Sequence, residues 1–125
     1  MTLSTLVLAA AVLTWLMILA SAMLRTRGDV QVMAGNRDNV PTASALAGRA
    51  DRAAKNMLEN LVLFVALAVA AGGGQNPGRA QLGAELFVAA RVVYWPVYLA
   101  GIPFLRTGLW MVSVVGLALL GSAAL

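Results

Sequence analysis

Three long stretches of this 125-residue chain carry no charged side chain at all. They are residues 2–24, 60–78 and 107–125. Each stretch is close to the ~20 apolar residues that an α-helix needs to cross the hydrocarbon core of a bilayer. A fourth stretch, residues 80–105, is uncharged apart from Glu85 and Arg91. The hydrophobic fraction of 61% is too high for an ordinary soluble domain. We therefore predict an all-α integral membrane protein, a four-helix transmembrane bundle.

Turn-forming residues between the apolar blocks set the predicted ends of the four helices. These helices are expected to run from Leu3 to Leu24, from Pro41 or Thr42 to about Ala71, from Ala80 to Ala100, and from Leu105 to near the C-terminus. The second helix would exceed the ~30 Å apolar core, so its first turns should project beyond the membrane. Pro96 predicts a kink in the third helix. The whole chain, residues 1–125, is predicted to be one domain.

The basic residues are distributed unevenly among the connections. Arg79 lies in the middle connection and Arg106 in the last, whereas six cations lie between the first two blocks: Arg25, Arg27, Arg37, Arg49, Arg52 and Lys55. The positive-inside rule predicts that the first and third connections are cytoplasmic and that both termini are periplasmic. Because the cations lie mostly at membrane ends, orientation explains them better than nucleic-acid binding does. The short, Ala/Gly/Arg-rich chain favours a bacterial inner-membrane protein.

The chain contains no cysteine and no histidine. This composition excludes disulfides, a cysteine nucleophile, a histidine base and the usual zinc or haem ligands. We therefore predict no metal site. Any reactive thiol in the chemistry of this protein must come from a ligand.

Polar residues recur at helical spacing where the second helix enters the apolar region. Arg52, Asn56 and Glu59 are four and three residues apart, which places them on one stripe, and Arg49 extends it by a turn. Each of these residues taken alone is more often structural, and Glu59 could simply pair with Arg52 or Arg91. An ionisable group in apolar surroundings, however, indicates function by default.

A second polar stripe lies on the third helix, at the same predicted membrane depth. It consists of Arg91, Tyr94 and Tyr98, and Arg106 follows at the start of the fourth helix. Several arginines on converging helices suit bidentate binding of carboxylates. The Met and Trp positions carry no comparable signal, and packing in the core or against lipid accounts for them.

Two segments carry a resemblance to a known family. The sequence "RADRAAKNMLEN", with its Arg-Ala-x-x-Asn-x-x-Glu pattern, and the later "ELFVAARVVYWPVYLAGIPFLRTGLW" resemble the membrane-associated proteins in eicosanoid and glutathione metabolism (MAPEG). The resemblance covers nearly the whole chain. It implies a homotrimer of four-helix subunits with glutathione, as co-substrate, bound between neighbours on the cytoplasmic side. Asn60 departs from some eicosanoid enzymes of the family, which have tyrosine there.

The resemblance also implies roles for individual residues. Arg106 would face the glutathione sulfur, and an arginine of the first helix, Arg25 or Arg27, would join the site. The tripeptide itself would be held by Arg52, Asn56, Glu59, Arg91, Tyr94 and Tyr98. A guanidinium beside the sulfur lowers the pKa of the thiol and so raises the fraction of nucleophilic thiolate.

The resulting hypothesis is a membrane glutathione S-transferase or peroxidase that acts on a lipophilic electrophile or lipid hydroperoxide from the bilayer. One alternative is a non-catalytic accessory or scaffold subunit that binds membrane lipid or a partner protein through the same arginine-rich face. Another is a small four-span multidrug transporter. The absence of an acidic residue from residues 2–24 counts against the transporter.

Overall fold

The computed structural model describes residues 1–125 and contains helices and no strands. Four of its five helices are long and apolar enough to cross a membrane, which confirms the predicted all-α chain with four potential spans. The helices are α1 (Leu3–Arg25), α2 (Val30–Ala34), α3 (Ala45–Gly72), α4 (Pro77–Ala100) and α5 (Pro103–Ser122).

Side-chain caps and prolines decide where the helices begin. Ser44 accepts a hydrogen bond from the Ala47 N–H, and this N-cap starts α3 later than the predicted Pro41 or Thr42. The helices α4 and α5 start earlier than predicted, because Pro77 and Pro103 occupy their first turns. Proline fits there since its missing N–H would have no partner inside the helix.

The short helix α2 lies in the first connection and was not predicted. It begins because the Asp29 carboxylate accepts hydrogen bonds from the N–H groups of Gln31 and Val32. At five residues it is too short to show a periodic apolar face, so the sequence pattern gave no sign of it.

The helices pack as two pairs, α1 with α3 and α4 with α5, and α3 joins the pairs by packing on α4. At the centre of the α3–α4 contact the rings of Phe64 and Phe87 stack with centroids 4.4 Å apart. The α4–α5 contact is closer still, because Gly83 faces Gly116 and neither carries a side chain that would hold the backbones apart.

A two-residue corner joins α4 to α5. Gly101 adopts a φ of +75°, a left-handed conformation that glycine takes without strain. Its N–H bonds the Tyr98 carbonyl and the N–H of Ile102 bonds the Val97 carbonyl, which is the Schellman pattern of helix termination. The corner places the start of α5 beside the end of α4. The α-helix α4 runs through Pro96 without interruption, and the kink there stays a prediction.

Many large apolar side chains face outward from the bundle. Phe104 is 91% exposed and Val69 is 75% exposed. Such exposure is unfavourable in water and suits a bilayer or a neighbouring subunit.

Candidate functional site

An open cavity of about 380 Å³ lies at one end of the bundle. The first half of α3, the second half of α4 and the start of α5 form its walls. Its lining residues are Arg52, Lys55, Asn56, Glu59, Tyr94, Tyr98, Arg106, Thr107 and Trp110. Six of the seven residues predicted for the site therefore line one cavity, and Arg91 is the exception.

Arg91 lies behind the cavity wall. Its side chain is fully buried, and its Nη1 donates a hydrogen bond of 2.6 Å to the Asn56 Oδ1. The guanidinium carbon lies 4.7 Å from the ring centroid of Tyr94 and 5.6 Å from that of Phe87, and aromatic faces attract a cation. The Nε and Nη2 atoms of Arg91 have no hydrogen-bond partner in the chain.

The hydrogen bonds around Asn56 fix the orientation of its amide. Its Oδ1 accepts from Arg91 and, at 3.4 Å, from Asn60 Nδ2, which also donates to the Asn56 backbone carbonyl at 2.8 Å. The oxygen end of the amide is thus occupied. The NH₂ end is left to donate to an acceptor on a molecule in the cavity.

Aromatic rings support the cation at the start of α5. The guanidinium carbon of Arg106 lies 4.6 Å from the Tyr98 ring centroid. The Tyr98 ring in turn meets the Tyr94 ring edge to face, with centroids 5.5 Å apart and planes at 72°. Arg106 is thereby held at the cavity by α4 as well as by its own helix.

Most of the charges that line the cavity are not neutralised by other side chains of the protein. The one ion pair of the structure joins Lys55 to Asp51 at 3.0 Å, and their side chains are 71% and 47% exposed. Glu59 pairs with neither Arg52 nor Arg91, so the structural pairing considered from the sequence does not occur. Two arginines and Glu59 therefore face the cavity free to bind a ligand of matching charge.

Three lining residues were not predicted from the sequence: Lys55, Thr107 and Trp110. Trp110 was assigned to packing, although it lies four residues after Arg106 and hence on the same face of α5. Lys55 lies three residues after Arg52, and this spacing could also have identified it.

The other arginines of the first connection lie outside the cavity. Arg25 and Arg27 are exposed, and neither lines the cavity. Arg49, which extended the predicted stripe, instead reaches the end of α4, where its Nε donates to the Leu99 carbonyl. No group of three or more Asp, Glu, His or Cys side chains comes together anywhere in the structure.

The sequence of the whole chain decides the family. The model of the MAPEG family matches residues 5–125. The chain belongs to the MAPEG family. The match confirms the resemblance found from the two polar segments, and it places the chain in a family of membrane proteins tied to glutathione and eicosanoid metabolism. None of the curated proteins compared with the chain matches it.

Proposed function

We propose that this MAPEG protein is a membrane glutathione S-transferase or peroxidase. It would activate the thiol of glutathione for attack on a lipophilic electrophile or a lipid hydroperoxide that arrives from the bilayer. The proposal rests on one observation: Arg52, Glu59 and Arg106 line the same cavity, and none of them forms an ion pair with another.

The charges of the cavity complement those of glutathione, which carries two carboxylates and one ammonium group. Arg52 and the neighbouring Lys55 suit the carboxylates, and Glu59 suits the ammonium. The NH₂ of Asn56 can donate to a peptide carbonyl of the ligand. Tyr94 and Tyr98 complete the wall, and Arg91 contributes through Asn56, whose amide it orients.

Arg106 would serve as the catalytic residue. A guanidinium beside the sulfur favours thiolate over thiol and therefore lowers the pKa of the bound thiol. The thiolate would displace a leaving group from an electrophilic carbon or open a strained ring, forming a thioether. With a hydroperoxide the thiolate would attack the terminal oxygen and break the O–O bond, and the leaving alkoxide would take a proton to become the alcohol. A second glutathione would then reduce the resulting sulfenic acid, giving glutathione disulfide and water.

Assembly and placement complete the proposal. A homotrimer would bring a neighbour's first span, with Arg25 or Arg27, to the open side of each cavity. The basic first connection favours a cytoplasmic site and periplasmic termini. The composition favours a bacterial inner membrane.

Calorimetric titration of glutathione into the detergent-purified protein tests the binding site. Arg52→Ala and Glu59→Ala should each weaken binding by about tenfold or more, since a hydrogen bond to a charged group contributes roughly 1.5–3 kcal/mol. Asn56→Ala should weaken binding by about two- to tenfold, since its hydrogen bond to a peptide carbonyl joins neutral groups. Arg79→Ala is the control, because Arg79 lies in the first turn of α4, away from the cavity. Equal losses at Arg79 and Arg52 would contradict the site, and the absence of any binding by wild type would favour the scaffold function.

Replacement of Arg106 tests the chemistry separately from binding. Arg106→Leu removes the cation but leaves the groups on α3 that hold the tripeptide, so glutathione should still bind. The ratio of thiolate to thiol in bound glutathione should fall by about tenfold for each unit by which the thiol pKa rises, and the ultraviolet absorbance of the thiolate at neutral pH should fall with it. Turnover of a model electrophile should fall with it. A variant that titrates like wild type would assign the role to another residue.

A further inference from the structure

Arg49 is a polar residue of the α3 stripe that the proposed glutathione site does not use. Its Nε donates a 2.9 Å hydrogen bond to the carbonyl of Leu99, fifty positions further along the chain. Its side chain lies flat against the corner between α4 and α5. A Cβ on Gly101 would meet the Cδ, Nε and Cζ of Arg49 at 3.5–3.6 Å.

The end of α4 explains why this carbonyl takes a side-chain donor. The last carbonyls of a helix have no partner within it. The corner supplies two donors, since Gly101 bonds the Tyr98 carbonyl and Ile102 bonds the Val97 carbonyl. The Leu99 carbonyl is left over, and Arg49 satisfies it with a cation, which also suits the negative end of the helix dipole.

This hydrogen bond fixes the corner relative to α3. Two side-chain hydrogen bonds connect α3 to α4, one from Arg91 to Asn56 behind the cavity and one from Arg49 to Leu99 at its outer end. The corner leads directly into the first turn of α5, where the Arg106 N–H bonds the Ile102 carbonyl. Arg49 is therefore bonded to the helix end from which the chain turns toward Arg106.

We propose that Arg49 is a positioning residue that fixes the distance between the ligand-holding side chains of α3 and Arg106 on α5. The inference rests on the proposed glutathione chemistry. Arg52, three residues after Arg49 on the same helix, would hold the tripeptide, and Arg49 would set Arg106 against its sulfur. Without that hydrogen bond the ligand would still bind, but the guanidinium of Arg106 would no longer lie beside the thiol.

Two variants of similar length separate the hydrogen bond from simple packing. Arg49→Gln keeps an N–H donor the same number of bonds from the backbone as the arginine Nε, whereas Arg49→Met keeps the length without a donor. Each variant, saturated with glutathione, is titrated with pH by thiolate absorbance. Affinity for S-methylglutathione, which has no thiol, is measured in parallel. Wild type, Arg106→Leu and Arg79→Met serve as references.

We expect Arg49→Met to bind S-methylglutathione like wild type while its thiolate titration shifts upward by half a unit to one unit, about three- to tenfold in the ratio of thiolate to thiol at a given pH. Arg49→Gln should titrate close to wild type. If Arg49→Met matches wild type while Arg106→Leu does not, the positioning role is wrong and the proposed chemistry stands. If wild type forms no thiolate, the proposed function itself fails.

Two further outcomes bear on the same inference. A Gln variant that titrates like the Met variant would mean that the charge of Arg49 acts, and that the hydrogen bond to Leu99 does not. If Arg49→Met does not fold, the titration of Arg49→Gln alone tests whether the hydrogen bond to Leu99 positions Arg106. A folded Gln variant with the wild-type titration supports the hydrogen bond, and a folded one with a shifted titration overturns it.

Discussion

Arg91 is the largest of the fully buried side chains, although it carries a charge. The bare cost of burying a cation is offset here by one short hydrogen bond to Asn56 and by two aromatic faces, with no carboxylate in contact. Replacing a buried ion pair by apolar residues of similar volume is often neutral or stabilising, and since Arg91 has no carboxylate partner, its replacement leaves no opposite charge unpaired. The position of Arg91 is therefore better explained by the orientation of Asn56 than by stability.

The substitution Arg91→Met separates these two roles. We expect the thermal stability in detergent to be unchanged or raised, because a charge with two unpartnered donors is removed. Glutathione should bind about two- to tenfold more weakly, because the Asn56 amide is no longer held in place. Calorimetric titration and thermal unfolding measure the two quantities.

A double substitution is the control for Arg91. If Arg91 acts through Asn56, the variant that combines Arg91→Met with Asn56→Ala should bind no more weakly than Asn56→Ala alone. Additive losses would show that Arg91 contacts the ligand directly, as first inferred from the family resemblance. A large loss of stability in Arg91→Met would instead assign the residue to the fold.

Helical spacing predicted most of the residues that line the cavity. The residues that it misplaced or missed have a physical explanation. Periodicity places a residue on a face of its helix but does not say how deep that face is buried. Arg91 was thus grouped with Tyr94 and Tyr98, although Arg91 lies behind the wall that they form. Trp110 was missed because an apolar aromatic residue in a membrane helix gives the same pattern whether it faces lipid or a cavity.

At the level of the helices, the uncharged blocks of sequence predicted the number of spans. The exact starts of the helices depend on N-cap side chains and on prolines in the first turn. The third helix was predicted to begin at Ala80, although asparagine at the N-cap followed by proline, here Asn76 and Pro77, is a typical helix start. The same holds for Pro103 at the start of α5. The contact between α4 and α5 could not be predicted, because a lone glycine in a membrane helix does not reveal which helix it faces.

This helix contact predicts a strong dependence on Gly83. A Cβ there would lie 2.6 Å from the Leu120 backbone nitrogen and 2.7 Å from the Gly116 carbonyl oxygen. Because both atoms belong to a backbone, Gly83→Ala must push α4 and α5 apart. We expect a loss of roughly 1–3 kcal/mol in the free energy of unfolding, the usual cost of overpacking.

Gly108 provides the matched control on α5. A Cβ there meets nothing within 4 Å, so Gly108→Ala should be neutral or slightly stabilising. Alanine favours the helix by about 1 kcal/mol relative to glycine. Thermal unfolding in detergent compares the two variants, and equal effects would mean that the glycines act through helix propensity and not through close packing.

At the level of the whole molecule, the chain by itself does not close its polar cavity from the surroundings. Arg52 and Glu59 are exposed and unpaired on a helix that is apolar enough to span a membrane. Polar groups at membrane depth need partners from protein or from trapped water. A neighbouring subunit would supply such a wall, and this requirement is the physical reason for the proposed trimer.

Native mass spectrometry in mild detergent should therefore show trimers, and a population of only monomers or dimers would contradict the proposal.

A mixing experiment tests whether the site is shared between neighbouring subunits. Two variants are made: one carries both Arg25→Leu and Arg27→Leu, and the other carries Arg106→Leu. Expressed alone, each variant should form trimers of low transferase activity. Coexpressed, they should regain activity, because some cavities then combine an intact Arg106 with a neighbour's intact first span. If a single subunit supplied all of these arginines, every cavity in the mixture would lack one of them and no activity would return.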